Sequence, residues 1–295
     1  MHVSVCICTF KRPELLKKLL QKIAVQETEG LFTFSAVVTD NDRQESARAV
    51  VDECVASLPL KVKYCCEPEQ NIALARNRAV NNAEGDFIAF IDDDEFPPTD
   101  WLLAMVKVCE ARKVAGVLAP VRPYFETEPP AWLVKGKFCE RPEYETGYVL
   151  SWRETRTGNA LFRRKLIEGN AEPFRRVLGN GGEDQDFFRR MMEQGHVFVW
   201  CNEAPVHEVV PPERWKRSYM IRRALLRGQN EKYMTDIKGV CKSLIAVPLY
   251  TLMLPFLAIA GHHFFMRYLI RLMDHTGKLM GLVGLKPLGS KYISG

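Results

Sequence analysis

The stretch GDFIAFIDDDE (85–95) sets an apolar run, Phe87 to Ile91, directly against Asp92, Asp93, Asp94 and Glu95, and Pro97 and Pro98 then close it. A run of this length bounded by glycine, acids and prolines reads as a short buried strand. Four acids at its end need a reason. Upstream the pattern alternates. HVSVCICTF (2–10), FSAVVTDND (34–42) and LKVKYCCE (60–67) are β-branched and apolar, while PELLKKLLQKIA (13–24), ESARAVVDECVAS (45–57) and NIALARNRAVNNA (71–83) carry helical spacing, with Pro13 at a first helical position. The order βαβαβαβ in under a hundred residues predicts a mostly parallel sheet wrapped by helices. Ligands in such sheets sit beyond the carboxyl ends of the strands, where Thr9, Asp40 and Asp92 to Asp94 fall.

At 295 residues and 47% hydrophobic, the chain can bury a large core, as one α/β domain with an appendage or as two domains, and its composition excludes disorder. The nine cysteines are scattered through apolar runs without a C-x-x-C pair, which predicts reduced core residues of a cytosolic protein. Met1 to Thr9 is too short and polar a lead for a signal peptide, so none is expected. The net charge of +5 divides unevenly: residues 1–212 carry 27 Lys/Arg against 32 Asp/Glu, and residues 213–295 carry 14 against 4. The two parts are expected to meet different partners, so the domains are drawn at 1–212 and 213–295.

After WLLAMVKVCEARK (101–113), a helix, and VAGVLAPVRPYF (114–125), a strand, a Pro- and Trp-rich segment at 126–151 is expected to be a mobile lid or acceptor loop. A last strand is expected at HVFVWC (196–201). Residues 218–242 read as one basic helix, LIAVPLYTLMLPFLAIA (244–260) is uncharged over seventeen residues with two prolines, and 262–280 reads as a basic amphipathic helix. The apolar run is either a kinked element entering a bilayer or a buried helix.

Read alone, the acid cluster is either a solvated turn or a site where Asp92 and Asp94 hold Mg²⁺ or Mn²⁺ against a diphosphate. Glu183, Asp184 and Asp186 open a helix, where acids are favoured by its dipole. The glycines before them, Gly179, Gly181 and Gly182, also let backbone approach a ligand, so a carboxylate there could serve as general base. His207 is either a capping histidine or a third metal ligand. No G-x-G-x-x-G and no G-x-x-x-x-G-K-[ST] is present, so dinucleotide and P-loop readings lose their support.

Taken in order, VCICTFKRPELL, VVTDND, NIALARNRAV, GDFIAFIDDDE, TGNALFRR and GGEDQDFF resemble the inverting glycosyltransferases of family 2, with a GT-A fold, over residues 3–208. The pair RTGNALFRR and GGEDQDFF, with the closing GLVGLK, is most similar to the glucosyltransferases of succinoglycan-type exopolysaccharide assembly. That resemblance implies a UDP-sugar donor, glucose first, and a polyprenyl-diphosphate-linked acceptor at the cytoplasmic face of the bacterial inner membrane. The enzyme would be peripheral or monotopic, bound to anionic lipid through its basic segment, with no nucleic acid as partner. It also implies residue roles. Thr9 and Arg12 would contact the nucleotide, Asp40 the uracil, and Asn71, Arg76 and Asn77 the ribose and diphosphate. Asp92 and Asp94 would form the metal motif, with the register open by one residue and Asp93 among the donor contacts. Asp184 of the Glu183-Asp184 pair would be the base, His207 a further metal ligand, and Asn159 part of the stretch meeting the donor sugar.

Three alternatives stand beside it. A sugar-nucleotide nucleotidyltransferase should carry a Gly-rich loop where TFKRPE stands. A carbohydrate-binding scaffold needs neither Asp94 nor Asp184, and a glycoside hydrolase has no use for a metal-diphosphate cluster.

Overall fold

The computed structural model describes residues 1–285, so Lys286 of GLVGLK lies outside the described residues. These residues divide into two compact units, the first made of 1–122, 141–179 and 183–208, the second of 123–140, 180–182 and 209 onward.

The first unit is built on a seven-stranded sheet. Its elements run β1 (His2–Thr9), α1 (Pro13–Ile23), β2 (Thr33–Asp40), α2 (Arg48–Ser57), β3 (Val62–Cys66), α3 (Ile72–Asn81), β4 (Phe87–Phe90), β5 (Glu95–Phe96), α4 (Trp101–Arg112), β6 (Gly116–Leu118) and β7 (Val121–Tyr124). After α5 (Ala131–Lys135), which belongs to the second unit, come β8 (Ala160–Arg163), α6 (Glu183–Glu193), β9 (Phe198–Trp200) and β10 (Val206–Val209). The sheet order is β3-β2-β1-β4-β8-β6-β9, and β8 alone in it runs antiparallel to its neighbours β4 and β6. A small second sheet has the order β5-β10-β7.

Alternation along the strands builds two cores. Val3, Val5 and Ile7 of β1 face one layer with Leu16, Leu19, Leu20 and Ile23 of α1 and Trp101, Met105 and Cys109 of α4. Cys6, Ile88, Phe90 and Phe162 face the other, with Ala79 and Val80 of α3 and Phe187, Phe188 and Met191 of α6. Period-two side-chain direction on a sheet covered on both faces requires this division, and it explains why the strands read as nearly continuous apolar runs. Pro13 occupies the first turn of α1 as its fixed φ favours. Asn71 caps α3, its side chain accepting from Leu74 N at 3.1 Å.

Four expectations are corrected. Residues 114–125 form two strands because Ala119 and Pro120 interrupt them, and the carbonyl of Pro120 accepts instead from Asn159 and from Val206 N. The last strand of the large sheet is only Phe198–Trp200, and β10 follows it. The 126–151 segment contains the short helix α5. The basic stretch at 218–242 is two helices, since Asp236 starts a new one by accepting from Gly239 N at 2.8 Å.

The second unit holds α7 (Arg217–Glu231), α8 (Ile237–Ala260) and α9 (His262–Leu282). Helices α7 and α9 meet at glycines: a Cβ on Gly228 would strike the Asp274 backbone, one on Gly277 the Leu225 backbone, and one on Gly281 would stand 3.0 Å from Gln229 O. Small residues at such crossings let backbones approach closely. The same contact uses two of the segment's charges, Arg227 paired bidentately with Asp274 at 2.9 and 2.6 Å, and Glu231 with Lys278. Helix α8 runs 24 residues through Pro248 and Pro255, longer than the uncharged run alone. Its Leu244, Ile245, Leu252, Phe256 and Ile259 are exposed, Ile259 by 87%. It is the one helix among the described residues long and apolar enough to cross a membrane.

Candidate active site

Register in the large sheet gathers the acids at one edge. Thr9, the last residue of β1, pairs with Asp40, the last of β2, and β4 pairs with β1 as far as Phe90 opposite Cys6, so Asp92 to Asp94 emerge beside Thr9. Thr9 Oγ1 donates to Asp93 Oδ2 at 2.8 Å, and Arg12 Nη1 bridges Asp93 Oδ1 at 3.1 Å and Asp94 Oδ2 at 3.0 Å. From α3, Arg76 forms a buried ion pair with Glu183 and comes within 3.7 Å of Asp92 Oδ1. Residues far apart in sequence, Thr9, Arg12, Arg76, Asp92 to Asp94 and Glu183, are therefore brought together.

The environments of these carboxyls differ. Burial raises Asp93 to about 7, with Asp94 and Asp92 adding to the rise while Arg12 and the Thr9 hydroxyl oppose it. Burial also drives Glu95 well above the usual range, helped by Asp92 and Glu208. The Asp92 side chain is 47% exposed and remains the open acid of the turn.

The residues present fit a hard divalent cation. A Cβ on Gly158 would stand 2.8 Å from Glu95 Oε1 and 3.2 Å from Asp92 Oδ2, so only glycine leaves this carboxylate-lined space clear, and Glu95 Oε1 is a buried acceptor with no hydrogen-bond donor among the described residues. Among the described residues no group of three His, Cys, Asp or Glu side chains is placed to hold a metal ion. Two carboxylates suffice for Mg²⁺ or Mn²⁺ when substrate phosphate supplies further oxygens. His207 is exposed in β10 opposite Phe96.

Other expected site residues are committed to the protein. Asp40 is fully buried and accepts from Asp42 N, Ala47 N and the Tyr64 hydroxyl. Asn77 exchanges two hydrogen bonds with the Phe174 backbone, at 2.8 and 2.9 Å. Asn159 accepts from Trp101 Nε1 at 2.7 Å and donates to Pro120 O and Ala204 O, holding three segments behind the site. Glu183 is 2% exposed and tied to Arg76, whereas its neighbour Asp184 is partly exposed and accepts only from Gln185 N at 2.8 Å among the described residues. Gly181 and Gly182 precede this pair with φ of 124° and 90°, a turn that residues with a Cβ rarely make.

Sequence reasoning did not find Arg141, Arg156 and Glu208. Arg141 Nη2 lies 2.5 Å from Glu208 Oε2 and its Nη1 3.9 Å from Glu95 Oε1, while β10 sets Glu208 opposite Glu95. Arg141 and Arg156 are charges inside loops, which solvated loops share, and Glu208 is a lone acid in a short strand. Aromatic residues of the expected acceptor loop mostly pack: Tyr144 stacks on Tyr148 at 4.4 Å and meets Trp200 edge-on.

The model of the glycosyl transferase family 2 domain matches residues 4–169, more than half of the chain and the part that carries Thr9, Arg76 and the acid turn. The chain belongs to glycosyl transferase family 2. Family 2 relatives match over most of its length. It is 32% identical over 304 residues to the succinoglycan biosynthesis protein ExoM of Rhizobium meliloti, covering 98% of this chain and 95% of that one. It is 25% identical over 246 residues to a glucosyl-dolichyl phosphate glucuronosyltransferase of Haloferax volcanii, covering 80% and 72%. Among solved structures, the mannosyltransferase PcManGT of Pyrobaculum calidifontis, in complex with GDP-Man and Mn²⁺, superposes with a TM-score of 0.65 at 18% identity, covering 96% of this chain and 88% of that one. The S. aureus TarS fragment 1–349 with UDP-GlcNAc gives 0.55 at 16%, covering 98% and 93%. At these identities the structures establish the fold, and it is GT-A.

Proposed function

We propose that this family 2 glycosyltransferase transfers a hexose, glucose by the resemblance, from a UDP-sugar to a lipid-linked oligosaccharide in bacterial exopolysaccharide assembly, with inversion at the anomeric carbon. The observation that carries the chemistry is the division of labour in the Glu183-Asp184 pair. Glu183 is locked to Arg76 and Asp184 is left open at the start of α6. Asp184 takes the proton of the acceptor hydroxyl, whose oxygen attacks the anomeric carbon as the bond to UDP breaks on the opposite face. Asp94 and Asp92 would hold Mg²⁺ or Mn²⁺, which supplies charge neutralisation at the departing diphosphate. Arg76 and Arg12 orient the acid turn. The succinoglycan relative supports the exopolysaccharide setting, and the nucleotide-sugar complexes of the solved neighbours support the donor class.

A lipid-linked acceptor keeps its reactive sugar at the membrane surface. The exposed apolar side chains of α8 and the nine Lys/Arg in 213–242 are suited to monotopic docking on anionic lipid at the cytoplasmic face.

One assay tests both halves. UDP release from a panel of UDP-sugars is measured with Mn²⁺ or EDTA, on protein incubated with phosphatidylglycerol or phosphatidylcholine vesicles. Metal-dependent turnover of one donor and pelleting with the anionic vesicles are expected. Turnover unaffected by EDTA would contradict the metal role, and equal partition to both lipids the charge-directed docking.

A further inference from the structure

Within residues 155–160 the structure commits every polar side chain inward except one. Thr155 is buried and donates to Trp152 O at 2.6 Å, Thr157 is fully buried, and the Asn159 amide is bonded on both sides. Arg156 stands between the two buried threonines, only partly exposed. Among the described residues no hydrogen bond or ion pair engages its guanidinium, and its segment abuts the start of α6, where Gln185, next to Asp184, donates through Nε2 to Arg153 O at 3.3 Å. Arg141, by contrast, is engaged by Glu208. Two residues on, Gly158 keeps open the space beside Glu95 and Asp92.

We propose that Arg156 binds the sugar of the donor, its planar fork donating hydrogen bonds to ring hydroxyls between the base and the acid turn. The proposal rests on the transferase reading above and adds the residue that recognises the sugar itself. Three observations support it. The anomeric carbon must lie between the base and the leaving diphosphate, and the segment carrying Arg156 spans that gap, from Arg153 against Gln185 beside Asp184 to Gly158 against Glu95 and Asp92. The acids of the metal turn already have their own arginines, Arg12 at Asp93 and Asp94 and Arg76 at Asp92. And five fixed donors beside carboxylates suit neighbouring hydroxyls, whose loss leaves buried groups unpaired and so gives strong selection. The site also holds this cation at a cost. Burial, with Arg141 nearby, pulls Arg156 down to about 10 against the opposing pull of Asp184, Glu95 and Glu208. A group kept where its charge is disfavoured is seldom there for stability.

The test compares wild type with Arg156→Gln and Arg156→Lys by calorimetry with UDP and with UDP-glucose in Mn²⁺, by UDP release from UDP-glucose and UDP-galactose, and by thermal melting. In Arg156→Gln we expect unchanged UDP affinity, UDP-glucose affinity lower by about tenfold, turnover lower by a further 10- to 100-fold, and a Tm no lower than wild type. Arg156→Lys keeps the charge but not the fork, so its preference between the two epimeric donors should narrow. Equal weakening of UDP would place the guanidinium on the diphosphate and overturn the proposal. A lower Tm with UDP binding lost would make the residue structural, and unchanged donor kinetics would overturn the proposal as well. Wild type that binds neither nucleotide would instead remove the transferase reading, and the proposal with it.

Discussion

Asp184→Asn should lower the rate of transfer by about 10²- to 10⁴-fold while leaving UDP-sugar affinity nearly unchanged, the range that general base catalysis supplies. The geometry separates the two effects. Asp184 makes only a local hydrogen bond to Gln185 N among the described residues, and asparagine preserves that acceptor and the size of the side chain. What it removes is the ability to take a proton. Glu183, one residue earlier, cannot substitute, because it is 2% exposed and held by Arg76. The measurement is single-turnover transfer beside calorimetric donor binding. A variant that loses donor binding as completely as rate would assign Asp184 to the donor, and one that keeps full rate would remove it from the chemistry.

Arg76→Met carries the largest expected loss of stability. The ion pair with Glu183 is closed off from water on both sides, with side chains 9% and 2% exposed, and the second oxygen of Glu183 has no hydrogen-bond partner among the described residues. Removing the arginine strands a buried carboxylate, which costs about 3–5 kcal/mol, whereas replacing both partners by apolar side chains is often close to neutral. The single variant should therefore melt on the order of 10 °C below wild type, and Arg76→Met with Glu183→Met should recover most of the loss. A single variant within a degree of wild type would show that the pair contributes little. A double variant no better than the single would locate the loss in the contact of Arg76 with Asp92 instead.

The wound sheet and the acid edge could be read from the sequence because their signals are local. Apolar strands ending in Thr9, Asp40 and Asp92 to Asp94, and helices opening at Pro13 and Asn71, announce themselves within a few residues. The structure added what depends on contacts across the chain. The reversed direction of β8 and the break at Pro120 follow from pairing partners 39 or more residues away. The place of Asn159 in TGNALFRR does not reveal that the indole of Trp101 and two backbone carbonyls take its amide. Arg141 and Glu208 gave no sign, since these charges acquire meaning only when β10 sets Glu208 opposite Glu95 and Arg141 pairs with Glu208. In the C-terminal unit the basic run read as a single helix, and one capping aspartate, Asp236, divides it.

The central claim is inversion at the anomeric carbon with Asp184 as base. A test that needs no knowledge of the acceptor offers water in its place: the enzyme is incubated with Mn²⁺ and an α-linked UDP-sugar, and proton NMR in the first minutes reads the anomer of any sugar released before it equilibrates. The β-anomer is expected first, with its appearance suppressed in Asp184→Asn. The α-anomer appearing first would contradict it.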